Sequence, residues 1–191
     1  TPIDPSGTAS CSMGINIEAD AGHLTATPPA DVTLVSGTQA SGGATNGTIT
    51  SGSGTTGSPY HYTLNGHAQE FDLSFTMPLT DARGGTTGWN LEANVSSLPT
   101  GATVTLTSLT GSTCPTSDCF PAVGSLSHAT FPLALSGSDQ EYVGAPDATG
   151  SDINAGTYSL ETNGTLTLPN NVAASTPING ALTLTINGTA F

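Results

Sequence analysis

The run "QEFDLSFTM", Gln69 to Met77, places Phe71, Leu73, Phe75 and Met77 at every second position. An extended strand with one buried face is the structure that puts such residues on a single side, because side chains alternate across a pleat. The same period returns in "GWNLEANV", with Trp89, Leu91, Ala93 and Val95 in phase, and in "ATVTLTSL", with Val104 and Leu106 in phase. Further strands are read in "SMGINIEA", in "HLTAT" and "VTLV" on either side of Pro28-Pro29, in "YHYTL", and in "GTYSLETNGTLTLP" and "GALTLTINGTAF" near the end. Helical periodicity is nowhere sustained. Gly, Pro, Asn and Ser separate the runs, so the expected fold is an all-β, Greek-key or immunoglobulin-like β-sandwich with long loops. Residues 112–150, rich in Pro, Gly and Asp, read as the most irregular part. No repeat at solenoid period and no composition shift marks a domain boundary. The chain therefore divides into an N-terminal extension, 1–20, and one sandwich domain, 21–191.

Charge narrows the function classes. The chain has 191 residues, with 14 acidic residues against one Arg, no Lys, and a formal net charge of −13. Phosphate binding needs cations that displace counterions, so nucleic acid is excluded as a partner. An anionic membrane surface is excluded for the same reason. No stretch of 18 or more apolar residues is present to span a bilayer as a helix, and no transmembrane segment is expected. Only 8% of residues are charged, which leaves a surface of hydroxyls and amides. An extracellular, cell-surface location is expected, with a signal peptide already removed.

Enzyme chemistry finds no foothold. The nucleophile elbow, the paired-histidine zinc helix, the phosphate loop and the dinucleotide fingerprint are all missing. His23, His61, His67 and His128 are scattered, and His61 and His67 lack a third ligand at metal spacing. Glu70 and Asp72 read as sharing an outward strand face, and Asp139 and Glu141 as lying in a loop. Neither pair has the apolar surroundings that raise a carboxyl pKa for acid catalysis. "DATGSD", Asp147 to Asp152, departs from the EF-hand calcium pattern. No cofactor, no metal and no catalytic activity are expected. "CPTSDC" offers Cys114 and Cys119 for a small disulfide loop or for two separate thiols. Four sequons stand at Asn46, Asn94, Asn163 and Asn187 as possible glycan acceptors. Three of them read "NGT", which is equally the preferred sequence of a tight hairpin turn.

The chain's one cation and one tryptophan fall together in "TDARGGTTGWNL", between two alternating runs. Asp81 is expected to accept N–H groups within this turn. Arg83 is expected to bridge turn carbonyls and a carboxylate with its planar fork. Trp89 is read either as the large plug of an aromatic-poor core or as an exposed platform for a sugar. The run "TDARGGTTGWNLEANVSSL" resembles the first half of the WxL-type surface domains of Gram-positive bacteria, through Asp81, Arg83, Gly84, Gly88, Trp89 and Leu91. "GHLTATPPADVTL" and "GTLTLPNNVAASTPINGALTLTI" resemble that family's opening and closing strand pairs. The family's second Trp-x-Leu is replaced here by "LTLTI". The resemblance implies a β-sandwich and non-covalent binding to cell-wall glycan.

The extension adds a second possibility. In "CSMGINIEAD", Cys11, Met13, Ile15, Ile17 and Ala19 share one face, and the segment spans about 30 Å at ~3.3 Å per residue. It reads either as the first strand of its own sandwich or as a donor strand that completes a neighbouring copy. Donation from head to tail does not close on itself and so builds a filament. Without lysine, covalent sortase or isopeptide linkage is excluded, and such a polymer is held non-covalently or through Cys11. The expected function is thus a self-assembling, filament-forming surface subunit, with wall binding as the alternative.

Overall fold

The computed structural model describes residues 22–27, 29, 32–55, 57–112, 126–149, 154–173, 178 and 180–188. These residues form strands and no helix: β1 (Leu24–Ala26), β2 (Thr33–Ser36), β3 (Thr45–Asn46), β4 (Ile49–Ser51), β5 (His61–Tyr62), β6 (Gln69–Gly85), β7 (Trp89–Ser96), β8 (Thr103–Ser112), β9 (Ser127–His128), β10 (Leu133–Leu135), β11 (Gln140–Ala145), β12 (Asn154–Leu168) and β13 (Ala181–Asn187). The larger sheet runs β1-β6-β12-β8-β10, with β2 and β3 also paired to β6. The second runs β13-β7-β11-β9, and β4 and β5 form a small hairpin. All pairings are antiparallel except β3 on β6.

The alternation read from sequence decides the packing. Leu73, Phe75, Met77 and Leu79 of β6 meet Trp89, Leu91 and Ala93 of β7 in one buried cluster, joined by Tyr158 and Leu160 of β12. Two sheets thus share one core, consistent with a β-sandwich. From β6 to β13 each successive strand lies in the other sheet, so no consecutive pair in that run is hydrogen-bonded. The longest seam joins strands distant in sequence: β12 follows β6 from Asn154↔Gly85 to Leu168↔Gln69.

Three sequence expectations change here. Residues 126–149 are more regular than expected, since they hold β9, β10 and β11, and Glu141 lies in a strand and not in a loop. A bulge between Glu141 and Val143 buries Tyr142, Val143, Gly144 and Ala145 in succession, which erases the period of two. Asn163-Gly164 is not a hairpin turn but lies inside β12, at a bulge against β8. A Cβ on Gly164 would stand 2.5 Å from the Thr105 carbonyl oxygen, so glycine answers a close backbone approach. Glu70 is not on an open outward face. It is only 5% exposed, because the loop after β2 folds over it and brings Ser41 Oγ to 3.2 Å from its carboxylate.

Candidate functional site

The Asp81–Arg83 pair follows from strand geometry. Phe71, Leu73, Phe75, Met77 and Leu79 face the core, and Asp81 and Arg83 continue the same row toward its rim. Asp81 is therefore a strand residue and not a turn residue, with its side chain fully enclosed. Arg83 answers it with two parallel bonds, Nε to Oδ1 at 3.0 Å and Nη2 to Oδ2 at 2.8 Å. The Arg83 backbone N–H also donates to Asp81 Oδ1 at 3.1 Å. On its other edge the guanidinium donates to the carbonyls of Thr87, Gly88 and Gly188 at 2.9, 3.0 and 3.3 Å. The expected bridge between carboxylate and turn carbonyls is what forms. It ties the end of β6 to the β6–β7 connection and to the residue after β13. The Asp81 hydrogen bonds raise the Arg83 pKa above its ordinary value, so the guanidinium keeps its charge.

Asp147 completes this corner. Its Oδ1 accepts the Gly88 N–H at 2.7 Å, a contact across 59 residues that local sequence does not signal. Asp147 thus braces a turn, while Asp152 lies outside the described residues. Among the described residues no three His, Cys, Asp or Glu side chains gather as a metal centre.

Trp89 and Leu91 are wholly buried, and the indole meets the Tyr158 ring edge to face at 5.5 Å. Of the two readings, the core plug holds and the exposed sugar platform does not. Tyr142 and Tyr158 lie in the same core, and burial pushes both phenols up to about 12, with Asp81 adding to the rise at Tyr158. An unfolded tyrosine ionises near pH 10. The native state therefore holds these protons more tightly, and the stability so linked is complete below about pH 10 and lost as pH rises through about 12. Alkaline titration followed by tyrosinate absorbance and circular dichroism should show these two phenols ionising together with unfolding. Ionisation near pH 10 in a still-folded chain would contradict their burial.

The sequons occupy different settings. Asn46 and Asn163 are exposed. Asn94 is half-buried and donates to Asp139, and Asn187 donates to Asn90 Oδ1 at 3.0 Å. His61 and His67 are exposed, and His128 stacks on Phe131. The donor-strand residues Cys11, Met13, Ile15, Ile17 and Ala19 lie outside the described residues, as do Cys114 and Cys119.

Sequence reading missed two surfaces. One is the outer edge of β13. This seven-residue strand pairs with β7 on one side and, among the described residues, with no strand on the other. Its Leu182, Leu184 and Ile186 point inward beside Val95, Ala93 and Leu91, yet remain only partly buried. The other is a groove of about 740 Å³ on the outer face of the larger sheet. Its signal was the threonine alternation of "TVTLT" and "GTLTL", opposite Glu70 and Asp72 on β6.

No protein-family model, curated protein or solved structure matches this chain.

Proposed function

We propose that the protein is an extracellular structural subunit of a prokaryotic cell surface that polymerises by strand donation, and is not an enzyme. Segment 11–19 of one copy would lie along β13 of the next. The single observation that carries this reading is the unpaired edge of β13, longer than any other open edge among the described strands. An exposed edge of half-covered apolar residues is a template for a further strand. The segment complements it: Cys11, Met13, Ile15, Ile17 and Ala19 would extend the inner face beyond Leu182, Leu184 and Ile186, and the alternate polar residues would face water. The sheet order β6-β12-β8-β10 opposite β7-β11-β9 supports a jelly-roll arrangement, built from Greek keys, in preference to the hairpin-linked order of an immunoglobulin domain. The WxL-type alternative needs a wall contact other than Trp89, whose indole has no exposed surface.

Negative-stain microscopy and sedimentation of the full chain and of its Ile15→Asp/Ile17→Asp variant test the proposal. The parent should form fibres, and the variant should remain monomeric with an unchanged circular dichroism spectrum. A synthetic peptide of residues 10–20 should also cap growth of the parent. Fibres of equal length from both proteins, or monomers from both, would refute strand donation.

A further inference from the structure

The groove on the outer face of the larger sheet is a second place where the chain can meet a ligand. Its floor is built by register. β12 lies between β6 and β8, and their pairing sets Asp72, Thr165 and Thr105 in one row and Glu70, Thr167 and Thr103 in the next. Rows across a sheet are spaced at about 4.8 Å from strand to strand, and alternate residues along a strand at about 6.8 Å. The loop that carries Thr38 and Ser41 walls one side, and Pro132 the other.

The polar atoms of this floor are only partly used by the protein. Glu70 is 5% exposed, and its Oε2 accepts from Ser41 Oγ and from Thr167 Oγ1, at 3.2 and 3.3 Å. Its Oε1 makes no hydrogen bond among the described residues and is not sealed from the groove. Asp72 Oδ2 accepts from Thr38 Oγ1 at 2.8 Å, and its Oδ1 has no hydrogen-bond partner among the described residues. The hydroxyls of Thr105 and Thr165, side by side between the carboxylates and Pro132, likewise lack a partner among the described residues. A concave site thus holds a nearly buried carboxylate oxygen, a second carboxylate oxygen and two hydroxyls, all with open hydrogen-bonding capacity.

Charge selects the ligand class. No cation lines the groove, and two carboxylates do, so an anionic ligand is repelled. Among the described residues the lining offers no aromatic ring and little continuous apolar surface, so a flat hydrophobic ligand finds no bed there. What fits is a neutral molecule that presents many hydroxyl donors at short intervals. We propose that this groove binds a neutral oligosaccharide, with Asp72 Oδ1 and Glu70 Oε1 accepting from its hydroxyls and Thr105 and Thr165 exchanging hydrogen bonds with it. Carboxylates are suited to this because each oxygen accepts more than one donor and charge assistance strengthens each bond. The site lies on the outer face of the larger sheet, whereas β13 edges the other sheet, so sugar binding and assembly need not compete.

Calorimetric titration of the full chain with soluble chito-, cello- and manno-oligosaccharides tests this, with an oligogalacturonate as the anionic comparison. At least one neutral probe should bind saturably, and the anionic one should not. Asp72→Ala and Thr165→Val should each weaken binding by about tenfold, the effect of one good hydrogen bond, with unchanged thermal midpoints. Ile15→Asp/Ile17→Asp should bind like the parent, which separates this site from the assembly reading. Failure of every neutral probe to bind would overturn the proposal. So would equal affinity in the parent and both groove variants, or an intact mass showing a covalent glycan on Asn163, which lines the same groove.

Discussion

Replacing Trp89 with alanine is expected to destabilise the fold by about 3–5 kcal/mol, the range for removing a large aromatic side chain from a packed core. The indole is completely enclosed, and the core around it has few rings to close over the void. Tyr158 would lose its edge-to-face neighbour, and the shared core would hold a cavity that backbone in two sheets prevents from collapsing. Against a typical domain stability of about 5–15 kcal/mol, this is a large fraction. Trp89→Phe separates the possible causes. The indole Nε1 has no hydrogen-bond partner among the described residues, so phenylalanine sacrifices none of the bonds seen there and leaves a smaller void. A loss of about 1–2 kcal/mol is expected, within the range of small core-volume changes. Urea denaturation followed by circular dichroism measures both. If Trp89→Ala melts within about 0.5 kcal/mol of the parent, the usual reach of a surface change, the indole is not a core residue.

How far the sequence carried this reading depends on the range over which each feature is encoded. β6 and β7 were legible because Phe71, Leu73, Phe75 and Met77, and then Trp89, Leu91 and Ala93, record burial in strict alternation. The Arg83 bridge was legible because a single cation in an acidic chain has no competitor for its carboxylate. β11 was not: its bulge makes Tyr142, Val143, Gly144 and Ala145 buried in a row, and no local pattern distinguishes such a strand from a loop. The outward row of Asp72, Thr165 and Thr105 exists only once three strands are in register, and those strands are far apart in the chain. Glu70 looked solvated for a similar reason, since the loop that covers it comes from before β3. The bond from Gly88 N–H to Asp147 joins two turns whose proximity the sandwich alone creates. Periodicity thus records which face of a strand is buried, while sites made between strands need the topology.

Arg83→Ala is the second large effect expected, at about 3 kcal/mol. Removing one member of a buried pair leaves the other as an uncompensated charge, with a usual cost of about 3–5 kcal/mol. The lower figure applies because the guanidinium is 23% exposed, so water can enter the space it leaves. Asp81 cannot escape the deficit by moving: its strand is pinned by Leu24 of β1 on one side and by Gly156 of β12 on the other. The carbonyls of Thr87, Gly88 and Gly188 also lose their donor, although exposure lets water replace much of that. Arg83→Lys should recover only part of the loss, since an ammonium cannot make two parallel bonds to the carboxylate while holding carbonyls on its far edge. The decisive comparison is Asp81→Leu/Arg83→Met. If the damage in Arg83→Ala comes from a stranded charge, this double replacement should be more stable than Arg83→Ala and close to the parent, because no charge remains to be solvated. If instead the carbonyl bonds carry the corner, the double variant should be as unstable as the single one. Thermal melts of the parent and the three variants decide between stranded charge and lost carbonyl bonds.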